Sequence, residues 1–430
     1  MDITVTPKKE RSEVEIAVSV PAKDFAPFVE RSAAKLSQEF SIKGFRPGKA
    51  PKDLVIDKVG ADRVLHEAMD EAIPYFFARA ALEKEIQVVH RPSISVEELG
   101  LTTPFRFTAI VEVIPEITLA DPTKLGATKR DISVTEDQVE LELKHLQKMR
   151  STLAEVEREA KDTDVVTIDF QVKINGEVIE GGESKNHPIT LGEGRFVPGF
   201  EEALMGAKAG EDKTFSITFP ADYGKKELQG KQAEVSAHVH SVQARTMPEL
   251  TDEFAKSLGA FTDMKTLKED LRKNIEKELA AKEEERYIGE LAEKLMEKST
   301  FGFIPESLIN HEIDRRMEEF ANMLAYQQKT IEDYMAQNQT TMEAMRETMK
   351  ESAEKHVRIG LALRELAKKH DIAVTDEEIT EEVNKQLAHF ASATHAHEEV
   401  NPDELREYVI STLKNTKTLD LLKSLANKNS

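Results

Sequence analysis

The spacing of apolar residues switches between every second position and every third or fourth position, so different parts of the chain must fold differently. Apolar residues alternate over 14–20 and 105–113, as they do in half-buried strands. Between these stretches, over 24–40 and 51–85, apolar residues recur at helical spacing. For residues 1–115 the pattern therefore predicts a strand, then helices, then strands, which together make an α+β module.

A connector follows, in which prolines interrupt regular structure before one amphipathic helix. Pro115 and Pro122 would break a helix that contained them. Thr135 and Gln138 have the spacing of a capping box, in which each side chain satisfies a free backbone N–H at a helix start. Residues 116–150 are therefore predicted to be a connector that ends in a helix.

Alternation of apolar residues then returns more strongly than in the first module. It extends over 166–174 and is followed by Asn175-Gly176, a pair that suits the positive φ angles of a type I′ hairpin turn. A last strand is predicted at 234–242. Residues 151–245 thus predict a small β-rich domain.

The remainder of the chain, 246–430, has almost wholly helical spacing. Thr266 and Glu269 have capping-box spacing and predict a helix start. A similar box at Thr375 resembles the one at Thr135. Two ordinary helix caps explain this similarity better than an internal repeat does, because the capping pattern is common.

The length of the chain is consistent with several domains, and its composition excludes some classes of functional site. At ~150 residues per domain, 430 residues suggest about three domains. The chain has no Cys, which excludes disulfides, thiolate metal sites and a cysteine nucleophile. The formal net charge is -21, of which 246–430 carries -12 and 1–115 only -2. Contact with nucleic acid therefore requires a local basic patch.

The sequence predicts no membrane or export address. Its first residues lack the basic and apolar regions of a signal peptide. No apolar run approaches the ~20 residues that span a bilayer. We therefore expect the protein in the cytosol.

The first candidate binding site is a basic loop between the two helical stretches of the first module. Four cations and no acid lie within 43–52, where two glycines and two prolines disfavour a helix. An exposed Phe45 flanked by Arg46 and Lys49 would suit a partner with phosphates and a stacking surface. On residue types alone, a solvated turn whose phenylalanine folds back onto the core is an equally good interpretation.

The sequence GFRPGKAP at 44–51 resembles the ribosome-docking signature of the trigger factor family. The members of this family are bacterial chaperones of nascent chains. The resemblance extends over essentially the whole chain, because three modules occur in the family's order. It implies that Phe45, Arg46 and Lys49 contact protein and RNA of the large ribosomal subunit beside the tunnel exit. It also implies that Gly44 and Gly48 shape this docking loop and that Pro47 belongs to the same ribosome-binding motif.

The second candidate is a group of aromatic residues on loops of the β-rich domain. Phe196, Val197 and Phe200 surround a Pro-Gly turn, and Tyr223 lies on the loop at 219–224. Convergence of these loops would make an apolar pocket with one hydroxyl. Composition alone favours an ordinary hydrophobic core with a surface tyrosine.

The turn VPGFEEAL and the loop DYG are similar to those of FKBP-type peptidyl-prolyl isomerases. The resemblance implies isomerisation of X–Pro bonds with no metal or cofactor. Phe200 stands where single-domain relatives usually carry Trp, and Glu180 where they carry a pocket Asp. These departures affect the expected affinity for macrocyclic inhibitors more than the expected activity. The resemblance implies a proline pocket formed by Phe170, Ile179, Glu180, Phe196, Val197, Phe200 and Tyr223.

Two further groups in the helical end have ordinary explanations. Methionine is flexible and suits surfaces that accept many partners, but Met342, Met345 and Met349 share one helical face, and core packing explains them better. Three histidines lie among Ala, Ser and Thr, where a loop with accidental histidines is a better explanation than a metal site. The three are His389, His395 and His397.

The fold class expected is therefore multidomain α+β. Its parts are an N-terminal α+β ribosome-docking module at 1–115, a connector at 116–150 that packs with the C-terminal domain, an FKBP-like β-rich middle domain at 151–245, and an all-α C-terminal chaperone domain at 246–430.

The resemblance implies an ATP-independent chaperone that docks on the ribosome, holds nascent and unfolded polypeptides, and isomerises X–Pro bonds. It also implies a role in protein folding, links to protein export and cell division, and homodimers off the ribosome. No membrane partner is expected. The alternative is a free cytosolic isomerase whose helical flanks only mediate dimerisation.

Overall fold

The computed structural model describes residues 1–40, 45–46, 49–392 and 401–427. The chain forms two compact units, one made of Met1–Lys129 with Glu285–Ser430 and the other of Arg130–Glu284.

Strands and helices are numbered here in chain order. The strands are β1 (Asp2–Lys8), β2 (Glu13–Val20), β3 (Ser93–Glu98), β4 (Phe105–Glu112), β5 (Ile117–Thr118), β6 (Thr152–Glu155), β7 (Val165–Ile174), β8 (Glu177–Thr190), β9 (Asp212–Thr218), β10 (Gln232–Thr246) and β11 (Thr300–Phe301). The helices are α1 (Ala22–Glu39), α2 (Lys52–Val59), α3 (Ala61–Glu83), α4 (Glu136–Met149), α5 (Phe200–Leu204), α6 (Asp252–Leu258), α7 (Met264–Lys298), α8 (Glu306–Tyr326), α9 (Ile331–Asn338), α10 (Met342–Lys369), α11 (Asp376–Ser392) and α12 (Pro402–Ala426).

In the first unit, an antiparallel sheet of order β1-β2-β4-β3 packs against α1 and α3. Alternate residues of β4, such as Phe105 and Phe107, are buried, as the alternation predicts. The α+β prediction for this part of the chain is confirmed. The prediction of one helical stretch at 51–85 is wrong in detail, because Gly60 separates α2 from α3 with a φ of 95° that other residues rarely adopt.

The helices of the first unit build two further cores. In one, Leu125 packs with buried residues of α7, α10 and α12. In the other, Met317 and Met345 are buried between α8 and α10, and Met349 is partly buried against them. Met342 has 39% of its surface exposed, so the core prediction is confirmed for two of its three methionines and is wrong for this one. The first residue of a helix has few neighbours to cover it.

The second unit contains a twisted antiparallel sheet around the long strand β10. The first part of β10 pairs with β9 and its end with β6, while β7 lies along its other edge and carries β8. The hairpin between β7 and β8 turns at Asn175 and Gly176, which have φ angles of 54° and 89°, as predicted. α5 contributes Phe200 and Leu204 to the buried face of this sheet.

α4 packs against α6 and the first turns of α7 within the same unit. Its capping box is confirmed: the Thr135 N–H donates to Gln138 Oε1 at 3.0 Å, and the Gln138 N–H donates to Thr135 Oγ1 at 3.3 Å. The predicted box at Thr266 and Glu269 is wrong, because α7 begins earlier, at Met264.

Asp263 caps α7 instead. Its carboxylate accepts the Thr266 N–H at 2.8 Å, and its own N–H donates to the Thr266 hydroxyl at 3.3 Å. Asp is as good an N-cap as Thr. Thr266 therefore serves as the third residue of a box that starts three residues earlier than expected.

Candidate functional site

An aromatic cluster lies between α5 and the sheet of the second unit. Phe200, at the start of α5, is only 2% exposed. The ring of Phe196 stacks on it with centroids 4.8 Å apart, and the ring of Phe170 meets it edge-on at 5.5 Å. Both arrangements are favourable for aromatic quadrupoles. The structure therefore brings together three of the residues that the sequence predicts for the proline pocket.

Three more of these predicted residues adjoin the same core. Ile179 and Val197 are partly buried against it, as is Tyr223, whose ring lies 4.8 Å from that of Phe219. Within the described ranges, the Tyr223 hydroxyl makes no hydrogen bond to another protein group, so it is available to a ligand.

Glu180 is not gathered into the cluster. Its side chain is 96% exposed, and its carboxylate lies 3.6 Å from the ammonium of Lys225. Lys225 also donates to the Glu180 carbonyl oxygen at 3.4 Å. The carboxylate therefore lies at the rim and leaves the interior of the cluster apolar.

His187 also belongs to the cluster, although no sequence motif indicates it. Its ring meets Phe170 and Phe196 edge-on, with both centroids 5.8 Å away. Its position depends on the pairing of β7 with β8, which places it opposite Ile168 and includes two register shifts. A bulged register of this kind leaves no local signal in the sequence.

The outer face of the same sheet is polar. His238 contacts Asp212 at 2.7 Å, and His240 contacts Asp169 at 2.8 Å. The backbone N–H of Asn186, together with His240, lowers the pKa of Asp169. Across the described ranges, no group of three or more His, Asp or Glu side chains is placed to hold a metal ion.

The basic loop of the first unit presents its described side chains to solvent. Phe45 is 42% exposed, and Arg46 and Lys49 are also exposed. The Lys49 N–H donates to the Arg46 carbonyl at 3.0 Å. Neither cation forms an ion pair within the part of the chain that the structure describes, and Phe45 is not part of the core cluster. The remaining predicted residues of this loop lie outside the described residues: Gly44, Pro47 and Gly48.

Two other predictions concern the histidines of the helical end and the membrane. The side chains of His389, His395 and His397 lie outside the described residues. Among the helices described, none is long and apolar enough to cross a membrane.

Comparison with known proteins identifies the family. Residues 1–146 match the model of the bacterial trigger factor protein, 263–424 match that of its C-terminus, and 156–242 match that of the FKBP-type peptidyl-prolyl cis-trans isomerases. A solved structure described as "Promiscuous Substrate Recognition in Folding and Assembly Activities of the Trigger Factor Chaperone" has a TM-score of 0.56. It is 23% identical, and the alignment covers 98% of this chain and 99% of that one.

Curated relatives match most of the chain. A trigger factor of Carboxydothermus hydrogenoformans is 38% identical over 87% of this chain and 88% of its own length. One of Bacillus subtilis is 35% identical over 88% of this chain and 89% of its own. The chain therefore belongs to the trigger factor family, ribosome-associated chaperones that carry an FKBP-type peptidyl-prolyl isomerase domain.

Proposed function

We propose that this chaperone isomerises X–Pro bonds in the aromatic cluster around Phe200 and docks on the ribosome through Phe45, Arg46 and Lys49. The observation that carries the first part is the composition of the cluster. Aromatic and aliphatic side chains form it together with the His187 ring, and Glu180 lies at its rim beside Lys225. Among the described residues, the Tyr223 hydroxyl makes no hydrogen bond to another protein group.

Such a site suits proline isomerisation because the reaction needs no nucleophile. Rotation about the X–Pro bond crosses a barrier of ~18–20 kcal/mol, since amide resonance is lost midway. An apolar pocket disfavours the polar, planar amide relative to the twisted one. Phe196, supported from behind by the buried ring of Phe200, would contact the proline ring while the preceding carbonyl swings. The Tyr223 hydroxyl would fix the substrate by a hydrogen bond, so that preorganisation rather than covalent chemistry lowers the barrier.

Docking would use the exposed ring of Phe45 and the cations of Arg46 and Lys49, which form no ion pair with the described residues. Arg46 and Lys49 would contact ribosomal RNA phosphates or acidic groups of ribosomal protein, and Phe45 would stack on or insert into an apolar surface. The partner proposed is the large subunit near the tunnel exit, where nascent chains emerge.

The finer organisation is part of the same proposal. The domains would be 1–115 for docking, 151–245 for isomerisation and 246–430 for holding client chains without ATP, with 116–150 as a connector. Pairing of β5 with β11 and packing of α4 on α6 and α7 support a connector that belongs structurally with the C-terminal helices. We place the protein in the cytoplasm, partly ribosome-bound, and as a homodimer when free.

The two sites can be tested by separating their activities in the full chain. In the triple variant Phe45→Ala/Arg46→Ala/Lys49→Ala, we expect loss of co-sedimentation with ribosomes and unchanged isomerisation of a short X–Pro peptide. In Phe196→Ala, we expect normal co-sedimentation and a roughly tenfold or greater loss of kcat/KM, because a wall of the substrate pocket is removed. Phe196 is half-buried, so this variant should fold.

Other outcomes would contradict one site at a time. Co-sedimentation of the triple variant at the level of the unmodified chain would exclude the docking assignment. Full isomerase activity in Phe196→Ala would exclude the pocket assignment. If neither the unmodified chain nor the triple variant bound ribosomes, a free isomerase with dimerising flanks would be the better description.

A further inference from the structure

The isomerase domain buries a carboxylate that the pocket chemistry does not use. Glu201 is only 5% exposed. Its Oε2 accepts the N–H of Gly194 at 3.0 Å, and its Oε1 accepts those of Arg195 at 2.8 Å and Phe196 at 3.2 Å. Three consecutive backbone donors therefore converge on one side chain.

This arrangement offsets the cost of burying a charge. A buried carboxylate is strongly unfavourable unless it is hydrogen-bonded, and bonds to an ionised acceptor are stronger than neutral ones. Burial raises the pKa of Glu201, but the N–H groups of Gly194, Phe196, Arg195 and Gly192 lower it by more, so the net pKa lies below its ordinary value. The carboxylate is thus charged at neutral pH and holds the loop continuously.

Two glycines also shape the loop. Gly192 and Gly194 have φ angles of 82° and 64°, a conformation that turns successive N–H groups toward one point and forms an anion-binding concavity. Here the anion is supplied by the chain itself.

Glu201 is linked directly to the aromatic pocket by the chain. It follows Phe200, whose ring is the buried floor, and it anchors the N–H of Phe196, whose ring stacks on that floor at 4.8 Å. One turn of α5 therefore carries both the floor and the anchor of the adjacent wall.

We propose that Glu201 is a positioning residue for proline isomerisation. It holds the backbone of 194–196 so that the ring of Phe196 stays stacked on Phe200 and presents, together with Val197, the apolar surface that an X–Pro segment contacts. This inference rests on the proposed pocket and deepens it. Because a pocket displaced by about 1 Å can cost up to 10²-fold in rate, the anchor matters even though it never touches substrate.

The loop at 192–196 is also held by an ion pair with α4, so the role of Glu201 can be tested by substitution. Glu193 forms ion pairs with Lys148 of α4 at 2.6 Å and with Arg195 at 2.8 Å. Loss of the Glu201 carboxylate leaves these contacts in place. We therefore expect the loop to shift rather than the domain to unfold.

The experiment compares Glu201→Gln with Glu211→Gln in the full chain. Gln has the shape of Glu but presents an NH₂ group to backbone donors. Glu211 is a matched control, because its carboxylate also accepts a backbone N–H, that of Lys208 at 2.9 Å, in a turn away from the aromatic cluster. The readouts are kcat and KM for a short X–Pro peptide, amide hydrogen exchange at 194–196, and the thermal unfolding midpoint.

For Glu201→Gln we expect kcat to fall by roughly 10–100-fold with a smaller change in KM, and exchange at 194–196 to accelerate. For Glu211→Gln we expect kcat within about twofold of the unmodified chain. Faster exchange with unchanged kcat in Glu201→Gln would overturn the proposal. If Glu201→Gln does not fold, Glu201→Asp replaces it, because this variant keeps the charge but is one methylene shorter. Its kcat and its amide exchange at 194–196 then decide.

Failure of the proposed function would appear differently. If Phe196→Ala keeps full activity, the pocket itself is misassigned. If Phe196→Ala is inactive while Glu201→Gln keeps its kcat with accelerated exchange, the pocket stands and only the positioning role is wrong.

Discussion

At the scale of single residues, buried charge is the feature that most directly ties stability to solution conditions. Asp164 is 3% exposed and accepts two bonds from the guanidinium of Arg158, at 2.6 and 3.0 Å, and one from the Lys161 N–H at 2.8 Å. Burial raises its pKa, but these bonds lower it by more, so the pKa of Asp164 lies below its ordinary value.

This pair predicts a pH-dependent stability. Because the folded pKa is depressed, the stabilisation is fully present above the ordinary carboxyl pKa of about 4 and is lost as pH falls through the folded pKa. We expect Asp164→Asn to lower the free energy of unfolding by about 1–3 kcal/mol at pH 7, since it leaves buried donors poorly paired. The difference should shrink below about pH 4.

Urea unfolding of the two proteins at pH 7 and below pH 4 measures this difference. Asp222→Asn, an exposed aspartate of the same domain, is the control and should change stability little at either pH. A loss in Asp164→Asn that is equal at both values would show that the carboxylate acts through packing rather than through charge.

The residues of the candidate pocket show what local sequence can and cannot reveal. Phe196, Val197 and Phe200 lie within five positions of one another, so a short motif is enough to propose that they act together. His187 reaches the same cluster only through the bulged pairing of β8 with β7. Glu201 could be read as a helix residue, but its three backbone partners depend on a loop path set by positive φ angles.

At the scale of secondary structure elements, periodicity predicts the kind of element better than its ends. The strands around Val18 and Ile168 and the helix after Thr135 follow directly from the spacing of apolar residues. The start of α7 does not, because Asp263 and Thr266 can both cap a helix, and the structure uses Asp263. Partners distant in sequence, such as β5 with β11, leave no pattern that identifies them.

Two glycines in helical regions of the first unit should respond oppositely to substitution. Gly60 links α2 to α3 with a φ of 95°, whereas Gly289 is exposed within α7 and has open space around the position of a Cβ atom. We expect Gly60→Ala to destabilise the unit by about 1–3 kcal/mol through backbone strain. Gly289→Ala should stabilise it by about 0.5–1 kcal/mol, because alanine loses less backbone entropy in a helix.

Thermal unfolding of both variants checks this pair, and each serves as the other's control for the added methyl group. A fall in the unfolding midpoint for Gly289→Ala would mean that α7 is not a continuous helix at that position. An unchanged midpoint for Gly60→Ala would mean that the link between α2 and α3 relaxes without strain.

At the scale of the whole molecule, the net charge of -21 opposes association with ribosomal RNA. At physiological salt the Debye length is ≈ 8 Å, so most of this charge would be screened from a ribosomal surface that contacts the chain through the basic loop at 43–52, as proposed. A local basic patch can therefore bind where the whole chain would be repelled. The unpaired state of Arg46 and Lys49 within the described residues leaves both available for this contact.

Salt dependence tests this explanation directly. If Lys49 neutralises an RNA phosphate, Lys49→Ala should reduce the slope of log affinity for ribosomes against log salt by about 1, because one fewer counterion is released. Lys58→Ala changes the net charge equally at the far end of α2, and we expect it to leave the slope unchanged. If Lys49→Ala weakens binding without changing the slope, the lysine contacts ribosomal protein rather than RNA, and the docking loop recognises its partner through surface complementarity instead of phosphate charge.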